Sequence, residues 1–190
     1  MRDFAVKGLV LALSLLPLSG ATESLPTFKT PDSADEVLAG SDQPFRLHFD
    51  SSHWQLRPQR SQLAALARVI HNDGAVMGAF GYRAEALTPE AVQQREEREL
   101  ASAFAAHTIE GFERRRVNGQ EVWLMRATAT NAEGSDFVIR SYLWLGPEGT
   151  ADYGLTVGAD RFEQYRGQML DLLNGLDRAS GDATEQEGGA

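Results

Sequence analysis

Between Phe112 and Val157 the chain alternates strand-forming stretches with turns that only reverse direction, and this limits the fold more than any other feature. Phe112 to Val117 and Glu121 to Thr130 flank Asn118-Gly119, a pair favoured in two-residue hairpins because both positions need positive φ. Phe137 to Leu145 follows through Asn131-Ala132-Glu133-Gly134, and Tyr153 to Val157 through Gly146-Pro147-Glu148-Gly149. Strands joined this closely pair antiparallel, since a parallel neighbour needs a crossover of about a dozen residues. Side chains along a strand alternate faces, so Trp123, Met125, Ala127 and Ala129 share one side. Ile139, Leu143 and Leu145 share a side, with Tyr153, Leu155 and Val157 expected beside them. Arg126, Arg140, Tyr142 and Trp144 take the opposite face.

Upstream, Phe45, Leu47 and Phe49 alternate with Arg46, His48 and Asp50, the pattern of a half-buried strand. Asp50-Ser51-Ser52 turns the chain before Trp54. Leu63, Leu66, Ala67 and Ile70 fit a helical stripe, but Asp73-Gly74 between apolar neighbours favours a hairpin of 63–71 with 75–83. Thr88-Pro89 reads as an N-cap followed by proline at the first helical position, opening a helix over 89–107. Its polar first half (Gln93 to Glu99) is expected to face water, and Leu100, Ala103, Phe104 and His107 to pack inward. The closing helix carries Phe162, Tyr165, Met169, Leu172, Leu173 and Leu176 on one stripe. Asp160 and Glu163 are placed to form a capping box, and Asn174-Gly175 to end the helix. The fold class that follows is α+β: a mainly antiparallel β-sheet with two packed helices, an α/β sandwich.

The N-terminus speaks to compartment. Arg2 and Lys7 precede the apolar run Gly8 to Leu18, and Ser19-Gly20-Ala21 supplies small residues for cleavage, so residues 1–21 read as a secretory signal peptide. The run contains Pro17 and is shorter than the roughly 18–20 apolar residues of a spanning helix, so no stable membrane anchor is expected after cleavage. Residues 22–42 hold Pro26, Pro31 and small polar residues and read as a linker. Residues 43–178 form the domain, and 179–190, without a large apolar side chain, read as a disordered tail. Removing 1–21 takes away Arg2, Lys7 and Asp3, leaving 16 basic and 26 acidic residues, a net charge of −10. Such a chain is repelled by nucleic acid and anionic lipid. With no cysteine, thiol catalysis, thiolate metal sites and disulfides are excluded, and the core alone must hold an exported fold together.

A search for chemistry yields little. His48 and Asp50 share a strand face and His53 lies just past the turn, a set able to supply nitrogen and oxygen ligands to zinc, yet no HExxH accompanies it. His107 and Glu110 are three apart, but the helix is expected to end between them. Neither G-x-S-x-G nor S-x-x-K occurs, so no serine nucleophile is signalled. No metal or cofactor is expected. Arg114-Arg115-Arg116 is the one local charge concentration. Arg114 and Arg116 project together, either as a docking point for a carboxylate-rich partner or as charges that keep an edge strand from aggregating. Tyr142 and Trp144 beside Arg140 form a contact patch of the kind enriched in interfaces, unless a helix covers that face.

The first strand leading to Trp54, the mid-chain helix, and the four-strand meander entered at Val117-Asn118-Gly119-Gln120 together resemble the PsbP-like and DcrB-like α/β sandwich group. The aromatic strand Tyr142-Leu143-Trp144 and the helix ending Leu172-Leu173-Asn174-Gly175-Leu176 add to the likeness. The resemblance implies non-enzymatic binding of other proteins and carries over no catalytic set; the chain departs from the lipoprotein members in lacking their anchoring cysteine. The expected function is an exported, non-catalytic protein-binding or accessory module of the bacterial envelope, periplasmic or extracellular. An immunity-type protein neutralising an envelope-acting toxin, and an unrecognised hydrolase or metal-dependent enzyme, are the alternatives.

Overall fold

The computed structural model describes residues 24–39, 44–58 and 65–178; the expected signal peptide and tail lie outside them. The elements are β1 (Thr27–Phe28), β2 (Glu36–Ala39), β3 (Phe45–Phe49), β4 (Trp54–Pro58), β5 (Ala65–His71), β6 (Val76–Arg83) and α1 (Pro89–Ala103). Then come β7 (Ala106–Val117), β8 (Gln120–Thr130), β9 (Asp136–Gly146), β10 (Gly149–Gly158), a 3-10 turn (Ala159–Arg161), α2 (Phe162–Asn174) and β11 (Leu176–Arg178). Eight strands form one sheet in the order β1-β7-β8-β9-β10-β6-β5-β4, and three form a second in the order β11-β3-β2. Pairing is antiparallel throughout except between β1 and β7. This is the expected α+β architecture, and the expected second hairpin is β5–β6.

The large sheet has two apolar sides. On one, Phe80, Leu124, Tyr142, Trp144, Tyr153 and Leu155 pack against α2 and the small sheet. On the other, Met125, Ala127, Ile139 and Leu143 pack against Val92 and Leu100 of α1. The expected linker contributes structure here. β2 pairs with β3, and β1 pairs with β7 through Thr27↔Arg116 and Phe28↔Val117, because Phe28 and Leu38 pack against the core and hold the segment as added strands.

The tip of the β7–β8 hairpin joins the layers. Asn118 and Gly119 adopt φ of 48° and 80°, the positive values their turn requires. The Asn118 side chain then does more than turn the chain. Its Oδ1 accepts from the Thr30 N–H at 2.8 Å, and its Nδ2 donates to the carbonyls of Asn174 at 3.1 Å and Leu176 at 2.8 Å. One side chain thereby ties the segment after β1, the end of α2 and the start of β11.

Four local expectations need correction. Tyr153, Leu155 and Val157 lie with Tyr142 and Val138, not with Ile139 and Leu143, since β10 pairs Tyr153 with Tyr142 and Val157 with Val138. Gly146 pairs with Gly149, so the loop is Pro147-Glu148 alone, and odd residues on one strand face the same way as even ones on the other. α1 has the expected cap, Thr88 accepting from the Ala91 N–H at 3.2 Å, but ends at Ala103. Its polar half is not wholly in water: Arg95 and Glu96 are buried. The capping box at Asp160 and Glu163 does not form, because the chain enters α2 through a 3-10 turn and Arg161, with no side-chain cap bond, sits at the N-cap. Gly175 does end α2, but at φ −72°; its need is space, since a Cβ there would stand 1.9 Å from the His48 carbonyl oxygen.

Candidate functional site

Tyr142 and Trp144 do not form a surface patch. Both are buried, because α2 and β3 cover their face. The Tyr142 hydroxyl donates to Asn174 Oδ1 at 2.9 Å, and Trp144 stacks edge-on against Phe45 at 4.6 Å. Burial raises the Tyr142 hydroxyl above the ordinary tyrosine value. Arg114 and Arg116 are exposed on β7, as the alternation requires. Arg114 is held in a two-point bond to Glu121, Nε–Oε1 at 2.8 Å and Nη2–Oε2 at 2.9 Å. Arg116 projects beside it. β7 is only partly an edge, since β1 covers it at Arg116 and Val117.

All four histidines face carboxylates, each in a different place. His48 Nε2 lies 3.9 Å from Asp177, His53 Nδ1 3.1 Å from Asp50, His71 Nδ1 2.7 Å from Asp73 and His107 Nε2 2.7 Å from Glu97. His107 thus uses α1 and not Glu110. His48, Asp50 and His53 border one cavity of about 60 Å³ beside Trp54, Gln168 and Asp171, room for a few waters. Burial raises the Asp171 carboxyl, while bonds from Ser52 hold Asp50 low. Among the described residues no three His, Asp or Glu side chains come close enough to share a metal ion. Ser52, His53 and Asp50 touch one another, but serine and aspartate both approach Nδ1. A serine nucleophile needs its hydroxyl on the ring nitrogen opposite the acid, so this set is a turn motif.

Two further polar clusters tie elements together. The Tyr165 hydroxyl of α2 donates to Asp73 of the β5–β6 turn, Arg161 donates to Tyr165 at 2.6 Å, and His71 Nε2 meets Gln168 at 3.0 Å. The Tyr165 hydroxyl, with the Ala75 N–H and His71, holds Asp73 well below the ordinary carboxylate range. On the other side of the sheet, Arg95 reaches Glu96 at 2.9 Å and Asp152 at 3.1 Å. Burial raises the Glu96 carboxyl against the pull of Arg95.

Four arginines from four different elements also meet, a grouping that no local spacing in the sequence signals. Where α2 crosses β7, β8 and β9, a cavity of about 280 Å³ is lined by Arg115, Arg126, Arg140 and Arg166, with Phe162 and Met169 on its apolar wall. Arg140 is therefore not an outer contact residue but part of this cleft, its guanidinium 4.8 Å from the Phe162 ring centre. Burial lowers its pKa, against the pull of Glu110 and assisted by Arg126 and Arg166.

No family model and no curated protein matches the chain. Solved structures do. PsbP of the cyanobacterium Synechocystis sp. PCC 6803 (CyanoP) superposes with a TM-score of 0.60 at 6% identity, over 76% of this chain and 92% of that one. LpqN, involved in cell envelope biogenesis of Mycobacterium tuberculosis, superposes with a TM-score of 0.54 at 12% identity, over 76% and 90%. At such identities the likeness is one of fold: the chain has the PsbP-like fold.

Proposed function

We propose that the chain is an exported, non-catalytic accessory module of the bacterial cell envelope, acting by binding another protein through its outer surface. The observation that carries this reading is the use of its histidines. Three of the four, His53, His71 and His107, are hydrogen-bonded to a carboxylate, each at a separate point, and the contacts of His71 and His107 join strands to helices. Side chains best suited to acid–base work thus serve mainly as local ties, leaving exposed charge on β7, Arg116 beside the Arg114–Glu121 pair, for recognition. The signal-like N-terminus supports export, and the envelope role of LpqN, which shares the fold, agrees with it.

The test is affinity capture from envelope extracts with the full chain and with Arg114→Glu/Arg116→Glu. The reading predicts a stoichiometric envelope partner lost on charge reversal, with the melting temperature lowered by no more than a few degrees for the broken Arg114–Glu121 pair. A toxin as that partner would select the immunity role, and retention of the partner by the variant would remove β7 as the docking surface.

A further inference from the structure

The arginine-lined cavity places like charges together and balances them only in part. Arg126 and Arg140 are direct cross-strand partners, and like charges directly opposite one another destabilise a sheet. Acidic neighbours answer this only in part. Arg115 Nε is 3.1 Å from Glu113, but Arg140 Nη2 is 3.9 Å from Glu110, too long for a hydrogen bond, and exposed Arg166 is 3.7 Å from Glu163. Among the described residues no carboxylate lies within 4.0 Å of Arg126. The neighbouring strand also gives way here. β7 shifts register between Ile109 and Gly111, which puts glycine opposite Arg126 and leaves that guanidinium without a facing side chain. Bulges of this kind are common beside binding sites. The other wall is apolar: Phe162, Met169 and Leu170 of α2, with Leu124 of β8. A space of about 280 Å³ suits a small ligand rather than a single water or a macromolecule.

We infer that this cavity binds a small organic anion, its carboxylate held by Arg126, Arg140 and Arg166 and its aliphatic part laid on Phe162, Met169 and Leu170. The head supplies the negative charge that Arg126 lacks and that Arg140 meets only at 3.9 Å from Glu110. The tail replaces water on the α2 wall, and in a chain this acidic overall an anion has reason to enter only at such a cluster. The site is separate from the protein-docking role of β7 and stands or falls independently of it.

Calorimetric titration of the full chain with octanoate, below its micelle concentration, tests the assignment against 1-octanol as the uncharged control. The expected result is saturable one-to-one binding of octanoate, at least tenfold weaker binding of octanol, and at least tenfold weaker octanoate binding in Arg126→Gln and Arg166→Gln. Both arginines are solvent-exposed, so the variants are expected to keep the parent melting temperature, which is measured alongside. No saturable octanoate binding, equal binding of octanol, or undiminished binding by either correctly folded variant overturns the inference.

Discussion

Asn118→Gly separates the turn from the ties that radiate from it. Glycine adopts a φ of 48° without strain, so the β7–β8 hairpin keeps its geometry while the side chain disappears. Three hydrogen bonds go with it: one accepted from Thr30 and two donated to Asn174 and Leu176. A net value of about 1 kcal/mol for each gives a loss of about 2–3 kcal/mol, since the site is half-buried and water recovers part of the pairing. For a domain of this size that lowers the melting temperature by about 5–10 °C. Urea denaturation of parent and variant measures the loss directly. Hydrogen exchange should localise it, with faster exchange in β11 and at the end of α2 than in the β8–β9 pair. A change below about 0.5 kcal/mol, or exchange quickened evenly across the molecule, would refute the view that this side chain fastens the layers.

Four other substitutions probe separate parts of the account. Tyr153→Phe is expected to stabilise by about 1 kcal/mol in urea melts, because the Tyr153 hydroxyl is fully buried with no hydrogen-bond partner among the described residues; destabilisation would mean that the hydroxyl is satisfied. Arg95→Met should cost about 3–5 kcal/mol by leaving buried Glu96 beside Asp152 and Glu99, while Arg95→Met/Glu96→Leu should recover most of it. Equal losses in the two would place the cost in packing instead. Asp73, with a folded pKa below its unfolded value, contributes stability above about pH 4 and loses it as pH falls through the depressed value. The melting-temperature gap between parent and Asp73→Asn should therefore be widest above pH 4 and close toward pH 2; a gap independent of pH would contradict this. Gly175→Ala should cost about 2 kcal/mol or more in the same denaturant assay, since the added Cβ meets the His48 carbonyl and not a movable side chain. A neutral result would show that β3 and α2 can separate there.

Much of the architecture was legible because its signals are local. Asn118-Gly119, Asp73-Gly74 and Thr88-Pro89 announce two hairpins and a helix start by conformational demands that few other residue pairs meet. What failed depended on register. Gly146-Pro147-Glu148-Gly149 marks a turn but not which residues pair across it, and a one-residue difference in loop length moved Tyr153, Leu155 and Val157 to the other face. The candidate patch of Arg140, Tyr142 and Trp144 failed for a related reason. A strand with apolar residues on both faces belongs in the centre of a sheet, and both its faces are then covered. The arginine cavity lay hidden because Arg115, Arg126, Arg140 and Arg166 are scattered over 52 positions. The available clue was that Arg126 and Arg140 straddle the Asn131 to Ser135 loop at matching distances, so pairing the two strands sets them opposite each other.

Photo-cross-linking in intact cells tests the central claim most directly, with the full chain expressed from its own N-terminus and a photoreactive side chain at the exposed position of Arg116. The account predicts a processed protein beginning at Thr22 in the envelope fraction and one discrete adduct with an envelope protein, abolished by Arg114→Glu. An unprocessed chain in the cytoplasm, or a processed chain that forms no adduct, would contradict it.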